Sequence, residues 1–137
     1  MKNQFIIYTD GGARGNPGPA GIGVIIYNNK GEIALKKSAY IGSKTNNQAE
    51  YRALILGLEE ALDLKAKNAI FHLDSELVVR QMRGEYKVKN KNISQLYGEA
   101  VYLAKKYEFI KFIHVKRDKN KEADFLVNEA VDKALEK

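Results

Sequence analysis

Four acidic residues of this 137-residue chain, Asp10, Glu50, Asp74 and Asp124, each stand at the edge of a structured segment. Asp10 closes one apolar run, residues 5–10 (FIIYTD), and is followed at once by Gly11 and Gly12. Asp74 closes another, residues 69–74 (AIFHLD). Glu50 and Asp124 fall in the first turn or so of two predicted helices. Acids at strand ends and helix starts can converge on one rim of an open sheet. Carboxylates gathered there cannot all stay ionised unless a cation holds them. Hard divalent metals, which take oxygen ligands, suit that role. Two such ions about 3.5–4 Å apart stabilise the attacking and leaving oxygens of an in-line displacement. The quartet therefore points to metal-dependent phosphodiester chemistry.

Each acid alone has an ordinary alternative. Asp10 suits a turn before two glycines, Asp74 a helix cap beside Ser75, and Asp124 a place near a helix N-terminus. Glu50 could lie at the edge of its stripe and reach solvent. The case rests on the four together, and on their faces. Counting by three and four from Glu50 reaches Ala53, Leu54, Gly57 and Ala61, an apolar stripe that puts Glu50 on the buried side. Val127, Val131 and Leu135 follow Asp124 in the same way.

The elements that must position these acids are legible in outline. Residues 3–10 read as a strand. The segment GGARGNPGPAG, residues 11–21, holds five glycines and two prolines and reads as a turn. Residues 21–29 and 32–42 read as two further strands, joined through Asn29, Lys30 and Gly31, so the chain opens with three antiparallel strands. The period then changes to helical from Asn46 to about Ala66, with Thr45 or Asn46 as N-cap. Residues 68–74 form a fourth strand and 75–83 a short helix stopped by Gly84. Residues 85–92 are basic and irregular, 93–107 amphipathic, 108–115 a fifth strand, 116–120 a loop and 121–137 a closing helix. Strand–helix alternation after an antiparallel opening predicts an α/β fold with a mixed five-stranded sheet and helices on both faces.

Composition narrows the function classes. One domain over 1–137 is expected, with 45 % hydrophobic residues to build a core. No apolar run reaches the roughly 18 residues of a membrane span, and the N-terminus leads directly into a strand pattern, so the expectation is a cytoplasmic protein. The absence of cysteine excludes disulfides, thiolate catalysis and cysteine zinc sites. A net charge of +6 and a pI of about 9.4 suit a polyanionic partner; lysines also keep surfaces soluble. The glycine-rich segment lacks the Gly-Lys-Ser/Thr ending of a P-loop.

The ordered segments YTDGGARGNPGPAGIGVII, TNNQAEYRALILGLEEAL, LDSELVVRQMRGEYKVKN and NKEADFLVNEA resemble type 1 ribonuclease H nearly end to end. The resemblance implies the ribonuclease H-like fold and an endonuclease that cuts the RNA strand of RNA–DNA hybrids with two Mg2+ or Mn2+ ions, leaving 5′-phosphate and 3′-hydroxyl ends. It places Asp10, Glu50, Asp74 and Asp124 on the family's four acids. Asp10 would bridge both ions, Glu50 and Asp74 would hold the ion near the leaving oxygen, and Asp124 the one activating water; Glu50 would also lie close to a ribose 2′-hydroxyl. Gly11, Gly12, Arg14 and Asn16 would contact the strand near the cut. Asn46, Asn47 and Gln81 would touch the minor groove, and Thr45 would line a pocket for a DNA phosphate. Asn46 and Asn47 are equally good helix caps.

The sequence departs from the family at three places. Many members carry a histidine in the loop before the last acid. Here that loop is the short KRDKN, and His72 and His114 lie inside strand patterns, where both read as structural. Arg117 is the nearest substitute for the loop histidine, or simply a solvated arginine. The shortened loop resembles a subgroup of archaea and some bacteria, in which activity on double-stranded RNA also occurs. The family's basic protrusion, rich in tryptophan, is replaced by RGEYKVKNKN, so hybrid affinity would rest on Arg83, Tyr86, Lys87, Lys89 and Lys91, unless these form only a solvated basic face. Glu76 stands where many members have glutamine. A monomer is expected. The rivals are a hybrid- or double-stranded-RNA-binding module without catalysis and an exonuclease of the same fold, which usually shows Asp-x-Glu on the first strand rather than Asp10-Gly11-Gly12.

Overall fold

The computed structural model describes residues 4–136, so Asn3 and Lys137, assigned above to a strand and a helix, lie outside the described residues. Five strands form one sheet in the order β3-β2-β1-β4-β5. β1 (Gln4–Ala13), β2 (Gly18–Tyr27) and β3 (Ile33–Lys44) are antiparallel neighbours. β4 (Asn68–Leu73) runs parallel to β1, and β5 (Phe109–His114) parallel to β4. Parallel pairing requires crossovers. α1 (Asn46–Asp63) supplies the first; α2 (Glu76–Met82) and α3 (Lys91–Ala104) lie in the second. α4 (Lys121–Leu135) closes the chain after a short 3-10 turn at Arg117–Lys119, a segment expected to be an irregular loop.

The two sheet faces are covered differently. Ile7, Val24, Ile26, Phe71 and Leu73 point to α1, where they meet Leu54 and Leu58 in a core that Val78, Val79, Ile93 and Ala100 extend. Apolar burial on that scale is the main term holding the fold together. The Tyr107 hydroxyl enters this core satisfied, donating to the Leu58 carbonyl at 2.7 Å. α4 lies on the other face over β2. A Cβ at Gly23 would stand 2.6 Å from the Ala123 carbonyl oxygen, so only glycine lets α4 approach this closely.

The structure corrects the glycine-rich segment. It is not a turn throughout: β1 runs on to Ala13 and β2 begins at Gly18, leaving only residues 14–17 as the bend. Gly11 pairs with Ile22 and Gly12 with Gly21. Gly11 and Gly21 serve close approach of helix backbones to the sheet, while Gly15 and Gly18 serve the chain reversal. Leu135 also departs from its expected place, being 49 % exposed. The buried stripe of α4 is Ala123, Leu126, Val127, Ala130 and Val131. Among the described residues, no helix is long and apolar enough to cross a membrane.

Candidate active site

β1 and β4 are parallel neighbours whose last registered pair is Thr9 with Leu73. Asp10 on β1 and Asp74 just past the end of β4 follow that pair, so the register sets them side by side at one rim. α1 brings Glu50 to the same point. Thr45 caps this helix in a reciprocal capping box with Gln48, which fixes where the helix starts and which way Glu50 points. Glu50 Oε1 accepts the Gly11 N–H at 2.9 Å. A side chain at Gly11 would collide with the Ala49 carbonyl, so glycine permits the strand–helix contact on which that bond depends. Asp10, Glu50 and Asp74 each offer a carboxylate oxygen within 4.8 Å of the others. Asp124, arriving from the opposite face on α4, is outside this trio but lines the same cleft, near enough for its charge to act on the Asp10 carboxyl group.

Burial and mutual repulsion dominate the electrostatics. Asp10 is pushed up to about 8 by burial, then by the charges of Asp74 and Asp124, with Arg117 opposing. Glu50 is raised well above its ordinary value by burial and by Asp10 and Asp74, while the Gly11 N–H opposes the shift. The rim thus favours a proton on Asp10 where a cation could sit. Its donor set is all carboxylate oxygen, the chemistry a hard divalent ion prefers. The residues present fit such an ion.

The other expected contacts fall into two adjoining clefts. The quartet's cleft, of ≈ 410 Å³, is lined also by Gly11, Gly12, Arg14, Asn46, Asn47 and Arg117. A neighbour of ≈ 440 Å³ shares Asn46 and Asn47 and adds Asn16, Thr45 and Gln81. Several of these groups are already engaged. Asn46 Oδ1 accepts the Ala13 N–H and Asn16 Oδ1 accepts the Asn46 N–H, both at 2.9 Å. Together they pin the bend after β1 to the start of α1. Gln81 Oε1 accepts the Tyr51 hydroxyl at 2.7 Å, which leaves its amide nitrogen as the donor facing the cleft. The Arg14 guanidinium is tied to Asp132 at 2.7 Å and to Asn128.

The basic patch divides in two. Lys87, Lys89 and Lys91 are exposed and carry no ion pair among the described residues. Arg83 is spent on structure, its Nε donating to the Phe112 carbonyl at 2.9 Å. Tyr86 lies under the Arg80 guanidinium, 5.4 Å away. Of the histidines, His72 stacks on Tyr8 with centroids 4.5 Å apart, as a structural residue would, whereas His114 is exposed at the end of β5.

Three residues of the site escaped the sequence reading. Tyr51 orients Gln81. Asn128, one turn beyond Asp124 on α4, donates to the Asp124 carbonyl at 3.1 Å. Asn120 donates to the Thr9 carbonyl and to Asp74. Asn120 stands immediately before a helix, where an asparagine reads as a cap, and that local reading hides its long-range contacts. The spacing of Asn128 four residues after Asp124 was the one signal available.

Residues 8–130 match the family described as Reverse transcriptase-like. A bifunctional protein of Mycobacterium tuberculosis is 45 % identical over 134 residues, covering 97 % of this chain but only 37 % of that relative. The chain thus spans little more than a third of that protein's length. A ribonuclease H of Wigglesworthia glossinidia brevipalpis is 32 % identical over 158 residues, covering 100 % of this chain and 98 % of the relative. The crystal structure of LC11-RNase H1 in complex with an RNA/DNA hybrid superposes with a TM-score of 0.90 at 49 % identity, covering 96 % of this chain and 99 % of that one. The sheet order, the acid rim and these similarities agree, and the chain belongs to the ribonuclease H family.

Proposed function

We propose that this protein is an endonuclease that hydrolyses the RNA strand of RNA–DNA hybrids, leaving 5′-phosphate and 3′-hydroxyl ends. The observation that carries the reading is the meeting of Asp10, Glu50 and Asp74 within 4.8 Å, with Asp124 lining the same cleft. Asp10, Glu50 and Asp74 would hold one divalent ion, and Asp10 with Asp124 a second. Magnesium or manganese, when bound, supplies Lewis-acid stabilisation of the attacking and leaving oxygens. The protein's own groups do the rest. The Gly11 N–H holds one Glu50 oxygen and so orients the carboxylate. Arg117 places positive charge beside the acids, where a phosphate must enter. Asn47 and the Gln81 amide line the adjoining cleft as neutral donors, suited to base and ribose edges of any sequence. Lys87, Lys89 and Lys91 attract the phosphate backbone. The hybrid bound in the LC11-RNase H1 structure supports the choice of substrate.

The deciding assay is a labelled RNA–DNA hybrid incubated with and without Mg2+ or Mn2+. Metal-dependent shortening of the RNA strand is expected, and Asp10→Asn should abolish it while leaving the circular dichroism spectrum intact. A band shift with no change of length would replace the nuclease by a binding module. Competing the hybrid against an RNA duplex in one reaction tests the wider substrate range. We further propose a monomer acting in the cytoplasm, to be checked by sedimentation and by fractionation.

A further inference from the structure

Asn120 stands between the Arg117–Lys119 turn and α4 and is only 2 % exposed. An asparagine at this position normally caps the helix it precedes, yet this side chain makes no cap hydrogen bond. It turns instead to the acid rim. Nδ2 donates to the Thr9 carbonyl at 3.0 Å and to Asp74 Oδ2 at 3.2 Å. Oδ1 is left buried with no hydrogen-bond partner among the described residues. Forgoing the cap and stranding an acceptor both cost stability. Flipping the amide would not help, because both partners are acceptors and only an NH2 group can face them. The residue has been placed for its two N–H bonds.

We infer that Asn120 is a positioning residue for the cation site: its amide fixes the Asp74 carboxylate against the end of β1, next to Asp10. The same residue sets the start of the helix carrying Asp124, since the Asn120 carbonyl accepts the Asp124 N–H at 3.1 Å. One side chain and its backbone thereby register acids from two elements to the strand bearing a third. A neutral donor suits this task. It orients a carboxylate without cancelling the charge that a metal ion needs, whereas lysine or arginine there would compete with the ion. Hydrogen bonds of this kind behind metal ligands commonly govern affinity about 10- to 100-fold.

The inference rests on the nuclease reading above, and the test separates the two. Mn2+ binding to the full chain is measured by calorimetry, without substrate, for the parent and for Asn120→Ala. The variant should bind Mn2+ about 10- to 100-fold more weakly. Its metal-free affinity for hybrid should be unchanged, and its cleavage should reach half-maximum at correspondingly higher Mn2+. Equal Mn2+ affinity in a folded Asn120→Ala overturns the inference and leaves the nuclease reading standing. No Mn2+ binding by the parent overturns both. Should the variant fail to fold, the unsubstituted protein decides by NMR. The Asn120 side-chain amide should shift on adding Mg2+, in step with the Asp74 backbone amide, and an unmoved signal refutes the role.

Discussion

Replacing Asp10 by asparagine should stabilise the metal-free protein at neutral and alkaline pH. Asp10 is 6 % exposed, and its carboxyl keeps its proton in the fold up to about pH 8, against 3.8 ordinarily. In the unfolded chain that proton is lost near pH 4. Between these values the native state binds more protons than the unfolded one. The associated stability is therefore present at low pH and lost as pH rises toward 8. The slope is about 1.4 kcal/mol per pH unit for one proton. The whole interval from 3.8 to about 8 sets an upper bound of roughly 6 kcal/mol. Part of the Asp10 shift comes from neighbouring acids that can readjust, so a difference of about 2–4 kcal/mol between variant and parent is expected at pH 8. At pH 4–5 the two should nearly coincide. His72, whose burial lowers its pKa, acts in the opposite sense but equally in both proteins, so the difference cancels it. The assay is urea unfolding by circular dichroism in chelator at pH 5, 6, 7 and 8, repeated with Mn2+. The ion should raise the parent's stability by about 2.7 kcal/mol at 100 times its dissociation constant, and the variant's far less. A stability gap between Asp10→Asn and parent that fails to widen across pH 5–8 in chelator, or an Asp10→Asn protein no more stable than the parent at pH 8, would refute the reasoning.

Three further outcomes follow from the packing and the charges. Gly23→Ala should cost about 1–3 kcal/mol in denaturant unfolding. Since the new Cβ would push α4 outward through the Ala123 carbonyl, cleavage should fall more than hybrid affinity does. Alanine at Lys87, Lys89 or Lys91 should each reduce the steepness of the salt dependence of hybrid binding by about one counterion, read from log–log plots. Arg83→Ala, which breaks the bond to the Phe112 carbonyl, should instead lower stability by about 1 kcal/mol and leave that slope nearly unaltered.

The acids were legible because each lies where a local pattern stops. Asp10 and Asp74 end apolar runs, and Glu50 and Asp124 interrupt the start of an apolar helical stripe; such breaks show in one dimension. The sheet was legible because β-branched runs and the Asn29-Lys30-Gly31 link carry strong period and turn signals. What stayed hidden depends on contacts between distant residues. Nothing local distinguishes a glycine that turns the chain from one that admits a helix backbone, so residues 11–21 read as one turn although β1 and β2 extend into them. Asn120 reaches a residue 111 positions away, and Tyr51 one 30 positions away. Asparagine before a helix and tyrosine in an apolar stripe each have sufficient local explanations. Arg83 and its lysine neighbours look alike in sequence, and only the position of the Phe112 carbonyl separates them.

The acid geometry is controlled from behind, by how closely two helices approach the sheet. α1 delivers Glu50 from one face and α4 delivers Asp124 from the other, and both converge on Asp10. On the α1 side the approach depends on Gly11 lying against the Ala49 carbonyl, on the α4 side on Gly23 lying against the Ala123 carbonyl. Ala49 immediately precedes Glu50, and Ala123 immediately precedes Asp124. Any side chain at either glycine would therefore lift an acid-bearing backbone away from the rim. Interiors are close-packed and transmit such displacements rather than absorbing them. Part of the acid rim's geometry is thus written in residues that carry no functional group at all. A substitution at Gly11 or Gly23 that the fold survives should weaken metal binding as surely as the loss of a carboxylate, through displacement instead of charge.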